Sequence, residues 1–384
     1  MLMGRVTRVA TIAAHGLVTL TSCTSTTNIY SAAVDNGTST GQYISSASGF
    51  DSPKVFPINS SSYDWWYFDI VSEDRQYSTS LAFIAAPGTA FTTGLPETNM
   101  LLGVVFLSTP EQPLSTVYQL LATEAIVVSD SDGTSGVWNG TGMQFRGSED
   151  LRMFQLDIDM PGLGLFGNIS LTSVSSDFET GPAIPAYINM NQRAPAHYPS
   201  GPAQAGLSME VMPGVGWANA VPDGDAEVYY MVNGTEITFS GVGYHDKNWG
   251  TSSFLSRVQS WYWIHGRLGP YSIVVWDGLT PAGEEYVSGY VARDGEILFA
   301  ANSSITVRPI GTNTTYPPTP GDKPTGFTVR IDMGNSGIMD IDIATTLSVD
   351  AAVFGEARFV GQMIGGIKGS SNYTGTASLE QYAF

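Results

Sequence analysis

"EVYYMVNGTEITFSGVGYHDKNWG", residues 227–250, is the stretch that decides the fold. Two runs rich in β-branched and aromatic residues flank Asn233-Gly234. An Asn-Gly pair in that setting is the strongest short-range hairpin signal, because both turn residues need positive φ. The stretch predicts two antiparallel strands. Working outward, similar short segments recur on both sides, among them "SLAFIAA", "LRMFQLDIDM", "YSIVVWDGL" and "MDIDIATTLSV", and Asp294-Gly295 marks another tight hairpin. In Met153–Met160 and Met339–Ile343, apolar and acidic residues alternate with period two, as half-buried strands do. "GLGLFG", Gly162–Gly167, has dinucleotide-loop spacing but joins strand to strand, and reads as a hairpin. "GTSTG", Gly37–Gly41, has nucleophile-elbow spacing but no strand before it or helix after it.

The expected fold is all-β and antiparallel, with enough strands for two packed barrels or sandwiches. The expected division is a flexible Ser/Thr/Gly-rich leader over 26–60, an N-terminal β domain over 61–250 and a C-terminal β domain over 251–384. The Pro-, Ala- and Gly-rich run 179–206 reads as an excursion or lid.

Of the 384 residues 13% are charged, 42% are hydrophobic, and the formal net charge is −19. Such a surface repels phosphate backbones and anionic lipid, so no nucleic-acid partner is expected. Residues 1–25 have the form of a signal peptide: Arg5 and Arg8, then the apolar "VATIAAHGLVTL", then small residues. The only cysteine, Cys23, lies inside that segment, so the mature chain is expected to hold no disulfide and no cysteine nucleophile. Eight Asn-x-Ser/Thr sequons, at Asn36, Asn59, Asn139, Asn168, Asn233, Asn302, Asn313 and Asn372, point the same way, to glycosylation and a lumenal or secreted protein. No later apolar run is long enough for a membrane span. His197, His245 and His265 have no ligand spacing, so no metal and no cofactor are expected.

Two stretches carry candidate chemistry. In "SYDWWYFDIVSED", Ser62–Asp74, a strand places Asp64, Trp66 and Phe68 on one face and Trp65, Tyr67 and Asp69 on the other, setting a carboxylate among aromatics. In the opening stretch, His245, Lys247 and Trp249 share one face, with Asp246 and Asn248 on the other, tying that side down. A buried lysine beside an aromatic needs an acceptor, from protein or ligand. Downstream, "SWYWIHGRLGPYSIVVWDG" crowds Trp261, Trp263, His265, Tyr271, Trp276 and Asp277 together, as a concave pocket for a hydrophobic small molecule would. A tryptophan-rich interdomain seam would have the same composition.

With "DWWYFD", "YHDKNWG", the Trp261–Asp277 pattern and the tail "GGIKGSSNYTG" (Gly365–Gly375), the chain resembles the carotenoid 1,2-hydratase-related superfamily, and within it the fungal Diels–Alderases. The resemblance runs from about Tyr63 to Phe384. It implies two lipocalin-like β domains and a cofactor-independent pericyclase of secondary metabolism closing a [4+2] cycloaddition. It also implies site residues: Asp64 and Trp249 lining the pocket with Trp66, Phe359 replacing another pocket aromatic, and Lys368 holding a carbonyl head of the substrate. Lys247 stands where the hydratases carry a second histidine, a departure that counts against simple hydration. With its signal peptide and sequons, the chain resembles a branch of hetero-Diels–Alderases that join a tropolone quinone methide to a humulene-type sesquiterpene. The alternatives are a decalin-forming cyclase, a lipocalin-like carrier, and a hydratase or isomerase. On the cycloaddition reading, Lys247 or Lys368 supplies the electrophilic contact, and Asp64 or His245 removes water before cyclisation.

Overall fold

A computed structural model describes residues 25–91, 95–171, 191–349 and 356–384. The expected signal peptide and Cys23 lie outside these residues, as do residues 179–190 of the Pro/Ala/Gly-rich excursion. Among the described residues the structure is strand, turn and three single turns of 3₁₀-helix.

Among the described residues two large curled antiparallel sheets make up the structure, with a small two-stranded one of Thr40–Gly41 and Val55–Phe56. The first runs through Thr26–Ser31, Glu124–Asp130, Gly133–Asn139, Met143–Gly147, Phe154–Met160, Leu165–Leu171, Val215–Val232, Thr235–Gly250, Tyr63–Ser72, Ser78–Ala85, Leu101–Ser108 and Thr116–Leu121. The second has nine strands, in which Ser260–Leu268 lies between Tyr271–Leu279 and the central strand Tyr373–Ala383. The last strand of the first sheet ends at Gly250, and the second sheet begins at Ser260. Asn233 and Gly234 take φ of 50° and 81° to turn the long hairpin, and Asp294 and Gly295 take 49° and 84°. The "GLGLFG" stretch joins Phe154–Met160 to Leu165–Leu171, as a hairpin.

Three apolar layers follow from strand parity. Asp64, Trp66 and Phe68 point into the first sheet's interior, while Trp65 and Tyr67 point out of it toward the second sheet. Likewise Tyr262 and Ile264 fill the second sheet's interior, while Trp261 and Trp263 face the first sheet. Strands buried on both faces lose the polar half of the alternation, which is why "DWWYFDIV" and "SWYWIHG" are so apolar. Phe154–Met160, open to water on one face, keeps the alternation.

The expected flexible leader is corrected by the structure. Thr26–Ser31 pairs with Glu124–Asp130 as a sheet strand, and Tyr30, Phe50, Val55 and Ile58 are buried in the first core. The segment packs by lending backbone groups to buried side chains. Asp51 O accepts from Trp66 Nε1 at 2.9 Å, and Gln42 O accepts from Trp249 Nε1 at 2.8 Å. Order of this kind needs no hydrophobic period, so composition misses it.

Candidate functional site

The opening stretch separates as strand parity requires, and its two faces serve different places. His245, Lys247 and Trp249 point into the first core. There Lys247 Nζ is ion-paired to Asp64 Oδ1 and sits 4.1 Å from the Trp66 ring centre and 5.3 Å from that of Trp249. Asp64 Oδ2 accepts the backbone N–H of Lys54 at 2.6 Å and of Val55 at 3.2 Å. Burial pushes the Asp64 carboxyl up and the Lys247 ammonium down, and the pairing between them opposes both shifts. His245 lies flat on Phe68 at 3.9 Å; its Nδ1 is 2.8 Å from Tyr67 O and its Nε2 is 3.2 Å from Asp51 Oδ1. The knot holds the leader, the Tyr63–Ser72 strand and the Thr235–Gly250 strand together.

On the other face of the same two strands is a pocket of about 740 Å³, counted with its open mouth, between the two sheets. Its walls are aromatic: Trp65, Tyr67, Trp217, Trp261, Trp263 and Trp276 line it, with Phe91, Phe254 and Tyr382 beside them. Four polar side chains reach it: Asp246, Asn248, Arg358 and Glu380.

Asp246 is the most unusual of these. Its Oδ2 accepts from Trp217 Nε1 at 2.6 Å and lies 2.7 Å from the Tyr244 hydroxyl, whereas Oδ1 is buried without a hydrogen-bond partner. Burial pushes this carboxyl from 3.8 to about 6, against the pull of the two donors. Arg358 is paired to Glu380, donates to Ser80 Oγ, and stands 5.1 Å from the Tyr67 ring and 5.3 Å from the Phe106 ring. Behind the wall, Tyr67 donates to Asp69 Oδ2 at 3.0 Å, and His265 Nε2 is 2.6 Å from Asp69 Oδ1.

Of the residues singled out in the sequence, Trp261 and Trp263 line this pocket and His265 stands one layer behind it. Asp64, Trp66, His245, Lys247 and Trp249 face the first core instead, because each is odd in parity to the pocket-lining Trp65, Tyr67, Asp246 and Asn248. Tyr271 and Phe359 belong to the second sheet's own core. Lys368 is exposed on a turn, its N–H bonded to Ile338 O at 2.8 Å. The glycine beside it serves that turn, Gly369 taking φ of 85°, rather than the approach of a ligand. The cation at the pocket is Arg358. Its signal in the sequence is a lone charge in the apolar run "ARFVGQMIGG", and Glu380 is likewise alone in "ASLEQYAF".

The family described as Diels-Alderase-like matches residues 22–309. Two relatives bear the name quinolone epoxide rearrangement protein. The one from Penicillium thymicola is 34% identical over 360 residues, covering 91% of this chain and 93% of the relative. The one from Emericella nidulans is 31% identical over 354 residues, covering 91% of each. A Diels-Alderase of Chaetomium globosum is 27% identical over 230 residues, 58% of this chain and 48% of that protein. In fold, the chain is similar to the crystal structure of CghA with Sch210972, with a TM-score of 0.73 at 17% identity over 93% of this chain and 98% of that one. It is also similar to kievitone hydratase from Nectria haematococca, with a TM-score of 0.55 at 14% identity, covering 92% of this chain and 98% of that one.

Proposed function

The chain belongs to the Diels-Alderase-like family and is an enzyme with cycloaddition or cyclase activity; on that premise we propose that it rearranges an apolar, oxygen-bearing substrate in the pocket between its sheets, with Asp246 as the acid. One observation carries this reading: a carboxyl held toward its protonated form in the lining of an aromatic cavity, with one oxygen tied by two ring residues and the other buried without a hydrogen-bond partner. A buried neutral acid of this kind gives up a proton to a substrate oxygen without water.

The full-length relatives are named for an epoxide, and the pocket suits one. Asp246 Oδ1 protonates the ring oxygen, the strained C–O bond opens, and positive charge develops on carbon. The faces of Trp261, Trp263 and their neighbours stabilise that charge, each by about 0.5–2 kcal/mol. A neighbouring group migrates with its electron pair, the oxygen-bearing carbon becomes a protonated carbonyl, and that proton returns to Asp246. The step is an isomerisation and needs no co-reactant. Arg358, held by Glu380, forms the polar end at which a carbonyl of the substrate is oriented.

The Diels-Alderase relatives support a second reading, [4+2] closure of a reactive diene; the diene we propose for it, from the signal-peptide pattern and sequons, is a tropolone quinone methide with a humulene-type partner. There the same walls impose a near-attack pose, an effect of up to about 7–11 kcal/mol, and Asp246 protonates the hydroxyl, which leaves as water while the ring O–H proton returns to the carboxylate and the diene is unmasked. Purified enzyme incubated with an aryl-quinolone epoxide, and separately with a hydroxymethyl tropolone plus humulene, decides between them by product analysis. Rearranged epoxide formed by the wild type and lost by more than about 10²-fold in Asp246→Asn supports the first reading. Recovery of every substrate unchanged would leave only a carrier. We also propose, from the signal-peptide pattern of residues 1–25 and the sequons, that the protein travels the secretory route.

A further inference from the structure

We propose that Tyr244 is a hydroxyl rotor that sets the acidity of Asp246, its single proton turning between Asn219 and Asp246 as the acid gives up and regains its own. The inference rests on the reading of Asp246 as the acid. Tyr244 is a positioning residue, behind the pocket wall rather than in it. Its ring cannot swing: it is stacked on His265 at 4.5 Å and packed against the Trp263 edge at 5.0 Å. Only the O–H torsion is free. Around that oxygen stand two acceptors, Asn219 Oδ1, which is hydrogen-bonded to it, and Asp246 Oδ2 at 2.7 Å, while Trp263 Nε1 donates at 3.3 Å.

A phenol has one proton to donate, so it cannot serve both acceptors at once. While Asp246 is neutral, the proton sits on Asn219. Once Asp246 is a carboxylate, the proton turns to Oδ2 and forms a charge-assisted bond, with no heavy atom displaced. The backbone is built for this contact. Asn219 lies directly across from Asp246 in the strand pair, and the register breaks immediately after it, between Asn219 and Val221. Such a break re-aims side chains. Asn219 Nδ2 has no partner, so the side chain is held by its oxygen alone.

Other charged and titratable groups face this centre. Tyr67 and Asp69 come from Tyr63–Ser72, His265 from Ser260–Leu268, and Arg358 and Glu380 from the last two strands. His245 and Lys247 flank Asp246 on its own strand, pointing to the opposite face. The neutral form of Asp246 is the working acid, so activity falls as pH rises through its titration.

The test is the titration of Asp246 in the wild type and two variants of the full chain, followed by the carboxylic C=O band in infrared difference spectra and assigned by its loss in Asp246→Asn. Tyr244→Phe removes the donor the anion needs, so the midpoint rises by about one pH unit. Turnover at low pH falls about tenfold while KM holds, because the acid is weaker. Asn219→Leu removes the competing acceptor and leaves the proton on Asp246, so the midpoint falls. Shifts of opposite sign are the expected result, and general loosening of the site does not produce them. Shifts of the same sign, or none in either variant, overturn the proposal. Full activity in Asp246→Asn with opposite shifts intact removes the acid but leaves the rotor. An inactive Asp246→Asn with Tyr244→Phe titrating as wild type removes the rotor alone.

Discussion

At the residue scale the two lysines that look alike in the sequence have opposite fates. Lys247 neutralises a carboxylate with no access to water, whereas Lys368 projects from a turn. Lys247→Met strands the Asp64 charge in the first core and is expected to cost about 3–5 kcal/mol, read as a large fall in the midpoint of chemical unfolding. Lys368→Met is expected to leave stability within about 0.5 kcal/mol and turnover unchanged. If Lys368→Met instead abolished turnover at normal stability, the pocket between the sheets would not be the active site. Asp246 also leaves a mark on stability. Its folded pKa is raised from 3.8 to about 6, so between those values the folded state keeps a proton that the unfolded chain has lost. Stability therefore declines as pH rises through that window, by up to about 3 kcal/mol. The pH dependence of unfolding in wild type, compared with Asp246→Asn, isolates this contribution; an identical slope in the two proteins contradicts it.

At the element scale the residues before Tyr63 do work that their composition conceals. Backbone groups of Lys54 and Val55 satisfy Asp64, and those of Gln42 and Asp51 satisfy Trp249 and Trp66. Removing residues 26–60 leaves one oxygen of the buried Asp64 carboxylate and two indole N–H groups without hydrogen-bond partners and uncovers the first core. Each unmet polar group costs about 1–3 kcal/mol. The shortened chain is expected not to fold, as judged by the loss of its near-ultraviolet circular dichroism. A truncated protein that melts like the full chain would show the segment to be dispensable. The strand 235–250 shows the logic of the element in small: a period of two sends a cation, a histidine and a tryptophan one way, and an acid and an amide the other. The alternation was legible from sequence. Which face met the ligand was not, since both faces are buried and parity alone does not label the sides.

At the scale of the whole molecule, the pocket exists only where two sheets meet, so neither sheet alone presents Trp65 and Asp246 together with Trp261 and Arg358. The surface carries its own test. Asn36, Asn233, Asn302, Asn313 and Asn372 are exposed, whereas the amides of Asn59 and Asn139 are tied to Gly37 O and Glu124 Oε1. Expressed through a eukaryotic secretory pathway, the protein is expected to carry glycans on exposed sequons and not on the tied pair, as peptide mapping after glycosidase treatment reads out. An unmodified chain from that host would remove the secretory proposal.

The sequence by itself determined the strands, their antiparallel order around Asn233-Gly234, the aromatic concentration in 261–277 and the family motifs, because these rest on local φ/ψ preference and period-two burial. Only the tertiary structure decided which tryptophans face a cavity, that Lys247 and Asp64 satisfy each other, and that Arg358 and Glu380, on either side of the Gly365–Gly375 tail motif, arrive in the same pocket as Asp246. Those outcomes depend on how two sheets curl and dock. In a strand buried on both sides, hydrophobicity no longer distinguishes core from pocket, and the decision passes to contacts between residues more than a hundred positions apart.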